Sequence, residues 1–262
     1  EEDQARAAAA AQGDTDYSFI VENLNTFVSF TVSDYNRDWV RERYEEWKKQ
    51  RSSEGKEVQL QSDEEAEEFL RPFYSPDTGR LWSDEYRGKV RALLQEYMTP
   101  SGSLLAWNAG CGSGYETYSL ATVLREAYPD SSIKLWAHDQ DLMSISTAPN
   151  LVLKSGEIPA GLSTYTSETK NGIIFNKELR DLILFEYHNV LHSNPFPDVD
   201  LVVARDLLSF QQANEQEDFL RECTEKLKPG GVLLLGANER ALSEDFEEIS
   251  EGGLRAYRKI QH

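Results

Sequence analysis

Three glycines, Gly110, Gly112 and Gly114, alternate through "AGCGSGYE", and an acid, Asp139, ends "LWAHD" 25 residues after the last of them. Glycine lacks a Cβ, so such a run turns sharply and lets a ligand approach the backbone. A helix that follows it points free N–H groups at that ligand. A carboxylate closing the next strand can accept both hydroxyls of a ribose, roughly 1.5–3 kcal/mol per charge-assisted bond. A glycine turn alone also fits plain loop geometry; the acid and the strand context make it read as a nucleoside site. Asp139 has a second reading, as the N-cap of a helix over "QDLMSIS", and the two roles can coexist. Thr117 stands where a dinucleotide turn has its last glycine, and no GK[ST] phosphate loop occurs. S-adenosylmethionine (SAM) carries adenosine without phosphate, so it suits this turn better than NAD or ATP.

The elements needed to position these residues follow from periodicity. After residue 100, apolar runs alternate with helical patterns. "SLLAWNA", "IKLWAHD", "LILFEYHNVL", "DLVVARD" and "VLLLGAN" read as strands, and "YETYSLATVLREAYP" and "ANEQEDFLRECTEKLKPGG" as helices. That alternation predicts an α/β fold with a parallel sheet covered on both faces. "GGLRAYRKI" reads as a final strand, and the acidic "SEDFEEISE" as a solvated loop that could also meet a basic partner. Residues 17–100 read as helical. Trp39, Val40, Tyr44 and Trp47 share one face, and Ser62 and Ser83 stand as N-caps before acid-rich first turns. "QSDEEAEE" is a solvated helix face. Residues 1–16, rich in Ala, Gln and Asp, read as a linker or frayed helix, consistent with a signalling domain fused upstream. The expected organisation is a linker at 1–16, a helical subdomain at 17–100 and an α/β domain at 101–262.

Composition sets exclusions. A net charge of −19 over 262 residues argues against a nucleic-acid surface and against an anionic membrane surface. No apolar run approaches the roughly 20 residues of a membrane span, and no signal peptide is visible. Two cysteines, Cys111 and Cys223, are too few for a disulfide framework and predict a reducing, cytoplasmic compartment. His138, His188, His192 and His262 have no metal-ligand spacing. Cys111 lies in the glycine turn, where it serves either as packing or as a thiolate activated by the helix end, and packing is the preferred reading.

Taken in order and spacing, "NAGCGSGYETYSLA", "LWAHDQD", "YHNVL", "LVVARDLLSF" and "LKPGGVLLLGANE" resemble the chemoreceptor methyltransferases of bacterial chemotaxis. The resemblance is good from Leu104 to Glu239 and loose from Tyr17 to Met98. It implies a Rossmann-like SAM-dependent methyltransferase sheet with a small β insertion and a helical N-terminal subdomain. It also implies methyl transfer from SAM to receptor glutamates, and chemoreceptor or chemosensory-array proteins as partners. On the cofactor side, Ala109, Gly110, Cys111 and Gly114 match the family turn, and Glu116, Tyr118 and Ser119 match the helix start. Asp139 matches the ribose acid, and Asn189 and Val190 match an Asn-Leu pair near the adenine. Arg205 matches the family's Cys-Arg-Asn. Asp206, in place of that Asn, and Leu207 complete the implied cofactor set.

The departures are specific. The family has an acid after the last glycine that helps hold the methionine part of SAM; here it is Tyr115. The family's Asn-x-Thr-x-Phe-Phe-Arg falls on "DTGRLWS", so Asp77, Gly79 and Ser83 replace its Asn, Thr and Arg. Its Tyr near the transferred methyl falls on Phe210. A carboxylate attacking a sulfonium methyl needs position more than acid–base help, and an Arg clamps a carboxylate as Ser cannot. Three readings follow. The first is a domain of this type that binds SAM or S-adenosylhomocysteine (SAH) but has lost or altered glutamate methyl transfer, serving as a structural or interaction module. The second is an active protein-glutamate O-methyltransferase in which Arg80 or Arg205 replaces the clamp. The third is a small-molecule methyltransferase.

Overall fold

The computed structural model describes residues 2–261; His262 lies outside the described residues. Four helices come first: α1 (Glu2–Val28), α2 (Arg37–Ser53), α3 (Asp63–Leu70) and α4 (Asp84–Tyr97). The boundary expected at residue 16 falls inside α1, which continues without a break to Val28. The chain then leaves the helix at Ser29, where φ is +56°. The aromatic spacing of α2 works as expected. Val40, Tyr44 and Trp47 are buried against Ile20, Leu24, Phe69 and Phe73, with Trp39 packed at the edge. Each large apolar side chain so buried contributes roughly 1.5–3 kcal/mol. Ser62 and Ser83 cap α3 and α4 by accepting from Glu65 N–H and Tyr86 N–H.

From residue 103 the alternation runs β1 (Ser103–Ala109), α5 (Tyr115–Ala127), β2 (Ser132–Asp139) and α6 (Leu142–Thr147). Three short strands follow, β3 (Val152–Leu153), β4 (Thr166–Thr169) and β5 (Gly172–Phe175), which pair among themselves in the order β3-β5-β4. After α7 (Lys177–Arg180) come β6 (Ile183–Tyr187), β7 (Val199–Ala204), α8 (Ala213–Lys226), β8 (Leu227–Leu235), β9 (Phe246–Glu248) and β10 (Arg255–Lys259). The main sheet has the order β6-β2-β1-β7-β8-β10-β9. It is parallel from β6 to β8, and β10 and β9 are antiparallel additions. The acidic stretch read as a solvated loop thus contains β9, whose backbone pairs with β10 from Phe246 to Glu248.

The apolar runs are buried on both faces. Leu104 and Ala106 join one core with α4 and α5, while Trp107 and Ala109 join the opposite core with α8. The helical half is stitched to the strand-end loops by Thr31 N–H to Ser209 O at 2.8 Å, Asn36 Nδ2 to Ser209 Oγ at 3.0 Å and Arg240 N–H to Tyr35 O at 2.9 Å. These bonds bring the helical half over the carboxyl ends of the parallel strands, where ligands bind in open α/β sheets.

Candidate cofactor and acceptor site

The glycine turn joins β1 to α5. Gly110, Gly112 and Gly114 all have positive φ, at +69°, +53° and +95°. A Cβ on Gly110 would stand 3.0 Å from the Leu207 methyls, so Leu207 lies directly on the turn. The turn is tied to β2 by Gly110 and Cys111 N–H groups donating to His138 O at 2.9 and 3.0 Å. Asp139 is the second tie: its Oδ2 accepts from Gly112 N–H at 2.8 Å and its Oδ1 from Asp141 N–H at 2.8 Å. Each oxygen keeps a further lone pair, so a ribose diol can still be received. The helix-cap reading of Asp139 is corrected: Asp141 caps α6, accepting from Met143 and Ser144 N–H groups.

Tyr115 opens α5 and packs on the core shared by α4 and α5. The neighbouring acid, Glu116, is engaged elsewhere. One oxygen accepts from Asn108 Nδ2 at 2.8 Å and the other from Arg205 Nη1 at 3.0 Å. Thr117 Oγ1 donates to Asn108 Oδ1 at 2.7 Å, completing the network. Burial raises the Glu116 carboxyl above its ordinary range, opposed by the Arg205 guanidinium and the Asn108 amide. Asn108 carries a signal legible in the sequence. A lone amide in an apolar buried strand must find partners, because an unpaired one costs of order 1–3 kcal/mol.

Arg205 is not free to act as a clamp. Its side chain is only 1% exposed. Besides Glu116 it donates to Pro76 O, and its guanidinium lies 5.0 Å from the Trp82 ring centre and 4.7 Å from that of Tyr86. Arg80 is the opposite case, 75% exposed and paired with Asp77 at 3.3 Å. Asp77, with φ of +61°, also accepts from Ser83 N–H at 2.8 Å. Ser83 itself is the α4 cap, accepting from Tyr86 N–H at 3.2 Å. Phe210 stacks on Tyr74 with ring centres 6.0 Å apart and meets Phe30 edge-on at 5.4 Å.

Asp206, with φ of +53°, accepts from Ser75 N–H, Ser75 Oγ and Thr78 Oγ1, all at 2.8 Å. Behind it lies Glu239, an acid that the family motifs give no role. It is fully buried and accepts from Ser209 N–H at 2.8 Å and Gly236 N–H at 3.1 Å. Burial, with the nearby Asp206 charge, pushes its carboxyl up to about 7.

Asn189 accepts Leu191 N–H on its Oδ1 at 3.0 Å, and Val190 is buried in the core under α8. Asn189, Gln140 and Phe210 line one open cleft of about 810 Å³, closed on the helical side by Asn25, Ser29 and Thr31. Among the described residues no Lys or Arg lines it, and Glu215, its one charged lining residue, accepts from its own Gln212 N–H at 3.2 Å. His138, beside this region, is buried with Nε2 3.3 Å from Glu186 and its ring centre 4.9 Å from that of His188. Burial, reinforced by His188, lowers its pKa.

With this geometry in place, the family comparison is decisive. Residues 78–253 match the model of the CheR methyltransferase SAM-binding domain. The chain belongs to the CheR methyltransferase family. Residues 9–69 also match the CheW-CheR linker domain. Among relatives, a 104.1 kDa protein from the hypE 3′ region of Rhodobacter capsulatus is 30% identical over 63% of this chain and 18% of its own length. Chemotaxis protein methyltransferase 1 of Vibrio cholerae is 27% identical over 64% of this chain and 68% of its own. The chemotaxis protein methyltransferase of Listeria monocytogenes is 26% identical, and its match covers 56% of that protein. The chain therefore spans under a fifth of the Rhodobacter protein and a little over half of the Listeria one. Among solved structures, the N-methyltransferase NodS of Bradyrhizobium japonicum, in complex with SAH, is similar at 15% identity with a TM-score of 0.41. That match covers 68% of this chain and 89% of NodS. The Rossmann-like sheet and the β insertion implied by the CheR resemblance are both present, and no helix among the described residues is long and apolar enough to cross a membrane.

The fit of SAM to these residues divides in two. The nucleoside half is matched by Asp139 at the end of β2, with lone pairs to spare, and by Asn189 and Gln140 in the cleft. On the methionine side the acid that the family carries after the last glycine is replaced by Tyr115. Tyr115 packs on the core, and Glu116 bonds Asn108 with one oxygen and Arg205 with the other. SAM, when bound, would supply an activated methyl on sulfur, and Asp139, Asn189 and Gln140 are the residues that would meet its adenosine.

Proposed function

We propose that this chain is a CheR-type domain that keeps the adenosine end of the SAM site, has lost or altered glutamate methyl transfer, and works as a structural or interaction module of a chemosensory assembly. One observation carries the reading. The position of the acceptor-facing family Arg is held by Ser83, which is spent as the cap of α4. Of the two candidate replacements, Arg205 is locked onto Glu116 and Arg80 is exposed and paired with Asp77. Phe210, at the family Tyr position, has no hydroxyl and is committed to the aromatic cluster with Tyr74 and Phe30. Asp77 and Asp206 add negative charge where a carboxylate would approach, and like charges repel it. Misplacing a reactant by about 1 Å costs on the order of a hundredfold in rate, and two orienting groups are missing.

Chemoreceptor or chemosensory-array proteins are the partners this reading assigns, in the cytoplasm, with a signalling segment joined on the α1 side. The roles of Asp139, Asn189 and the glycine turn toward adenosine belong to the same proposal. The test is transfer of labelled methyl from SAM to receptor fragments that carry methylatable glutamates. No transfer above background is expected at enzyme concentrations where an active CheR protein labels them fully. Transfer at an active enzyme's rate that is abolished by Arg80→Ala establishes the rearranged-clamp alternative instead.

A further inference from the structure

The stretch between α3 and α4, residues 71–83, forms no helix or strand, yet it is fastened along its length to the strand ends. Ser75 N–H, Ser75 Oγ and Thr78 Oγ1 donate to the Asp206 carboxylate, each at 2.8 Å. Ala237 N–H donates to Ser75 Oγ at 2.9 Å, Asn238 Nδ2 to Phe73 O at 2.8 Å, and Arg205 to Pro76 O. The stretch is a strap laid across the ends of β7 and β8, and Asp206 is its main fastening.

A second acid sits under that fastening. A Cβ on Gly236 would collide with Asp206 Oδ1 and stand 2.9 Å from Glu239 Oε2, so the two carboxyl groups crowd one backbone position. Two carboxylates placed together resist ionising together, and one keeps its proton to a higher pH. Burial and the Asp206 charge push Glu239 up to about 7. The other charges facing the pair do not relieve it. Glu116 of α5 adds a third acid and takes Arg205, Asp77 of the strap takes Arg80, and Asp38 of α2 takes Arg240 at 2.8 Å. Tyr74 of the strap and Tyr86 of α4 also feel Asp206, but burial raises both phenols, so neither titrates near neutrality. When Glu239 ionises, one acid must yield. Glu239 is fully buried and held by the N–H groups of Ser209 and Gly236. Asp206 is the weaker side. Its φ is +53°, its partner Thr78 is exposed, and Asp77 beside that partner has φ of +61°.

We propose that residues 71–83 are a proton-controlled strap, fastened while the Asp206 and Glu239 carboxyls hold one proton between them and loosened when both ionise. Loosening takes Pro76 O away from Arg205, so the same proton governs how tightly that guanidinium is enclosed. The inference stands whether or not the domain transfers methyl groups.

The experiment is amide hydrogen exchange on the full chain between about pH 5.5 and about pH 8, a window that spans the loss of this proton, with rates corrected for the intrinsic effect of pH. Protection of the amides from Ser75 to Ser83 is expected to fall by at least about tenfold relative to those of α8 as pH rises, the weight of one unit of pKa. Two variants test the cause. Glu239→Gln cannot ionise. Asp206→Asn keeps an acceptor and tolerates the left-handed backbone while removing the charge. In each, strap protection is expected to stay level across the window. A parent strap whose protection does not change overturns the proposal. So does a loss shared equally by α8, which marks global destabilisation, and so does a fall that persists in either variant, which assigns the titration to another group such as Glu116.

Discussion

Arg205 Nη1 donates to Glu116 Oε2 across 3.0 Å, joining the end of β7 to the first turn of α5 beneath the glycine turn. Two residues 89 positions apart thus hold the cofactor turn and the strand that faces it as one unit. Removing one partner of such a pair leaves an uncompensated charge in a desolvated place, which costs about 3–5 kcal/mol. Arg205→Ala is therefore expected to lower stability by that order, seen as a fall in the urea midpoint. Arg205→Lys recovers only part of it, because an ammonium cannot span Glu116 and Pro76 O together. A stability unchanged by Arg205→Ala, with only ligand binding altered, contradicts the structural role.

Asp206 presents a second testable grip. Its carboxylate holds Ser75 and Thr78 through three bonds from a residue in the left-handed region. Hydrogen bonds to a charged group contribute about 1.5–3 kcal/mol each. Asp206→Ala is expected to destabilise the fold by about 3 kcal/mol or more. It should also speed amide exchange at residues 75–83 more than in α8. Asp206→Asn, which tolerates the same backbone region, is expected to cost less.

Glu239 gives a pH dependence with a definite sign. Its carboxyl is raised from 4.5 to about 7 in the folded protein. The folded state therefore holds a proton that the unfolded state releases first, and stability contributed by the neutral form falls as pH rises from about 4.5 to 7. The full effect is about 3 kcal/mol. Urea midpoints should decline across this window in the parent and be flatter in Glu239→Gln. Parallel slopes in the two proteins assign the titration to another group.

Both cysteines should be inert in the folded state. Burial pushes both the Cys111 and the Cys223 thiol well above the ordinary range, so almost no thiolate exists near neutrality. Neither thiol is expected to react with an aromatic disulfide reagent until denaturant unfolds the chain. Rapid labelling of Cys111 in the native protein reinstates the activated-thiolate reading.

The parts of this fold legible in the sequence are those dictated by local rules. Buried parallel strands such as "DLVVA" are continuous apolar runs, and Ser62 and Ser83 sit before acidic first turns as caps do. The glycine turn and Asp139 were legible by spacing, since one turn and one helix separate consecutive parallel strands. What escaped depends on residues far apart in the chain. Glu116 looks like a helix-start acid until Asn108 and Arg205 close on it. Asp206 looks like a substitution until Ser75, 131 residues earlier, reaches it. Asp139 and Asp141 are both acids before an apolar run, and only the backbone path makes the second the cap. The polar β9 forms because β10 offers a free edge, a pairing that no local pattern in "FEE" announces.

Phe210 serves two masters. It lines the open cleft, and it packs into the core of the helical half against Phe30, Phe73 and Tyr74. A ligand seated in that cleft binds only while this wall is intact, so occupancy and the folding of the helical half are linked by mass action. Ligand binding there would therefore raise the stability of the helical half, the region that carries the CheW-CheR linker match.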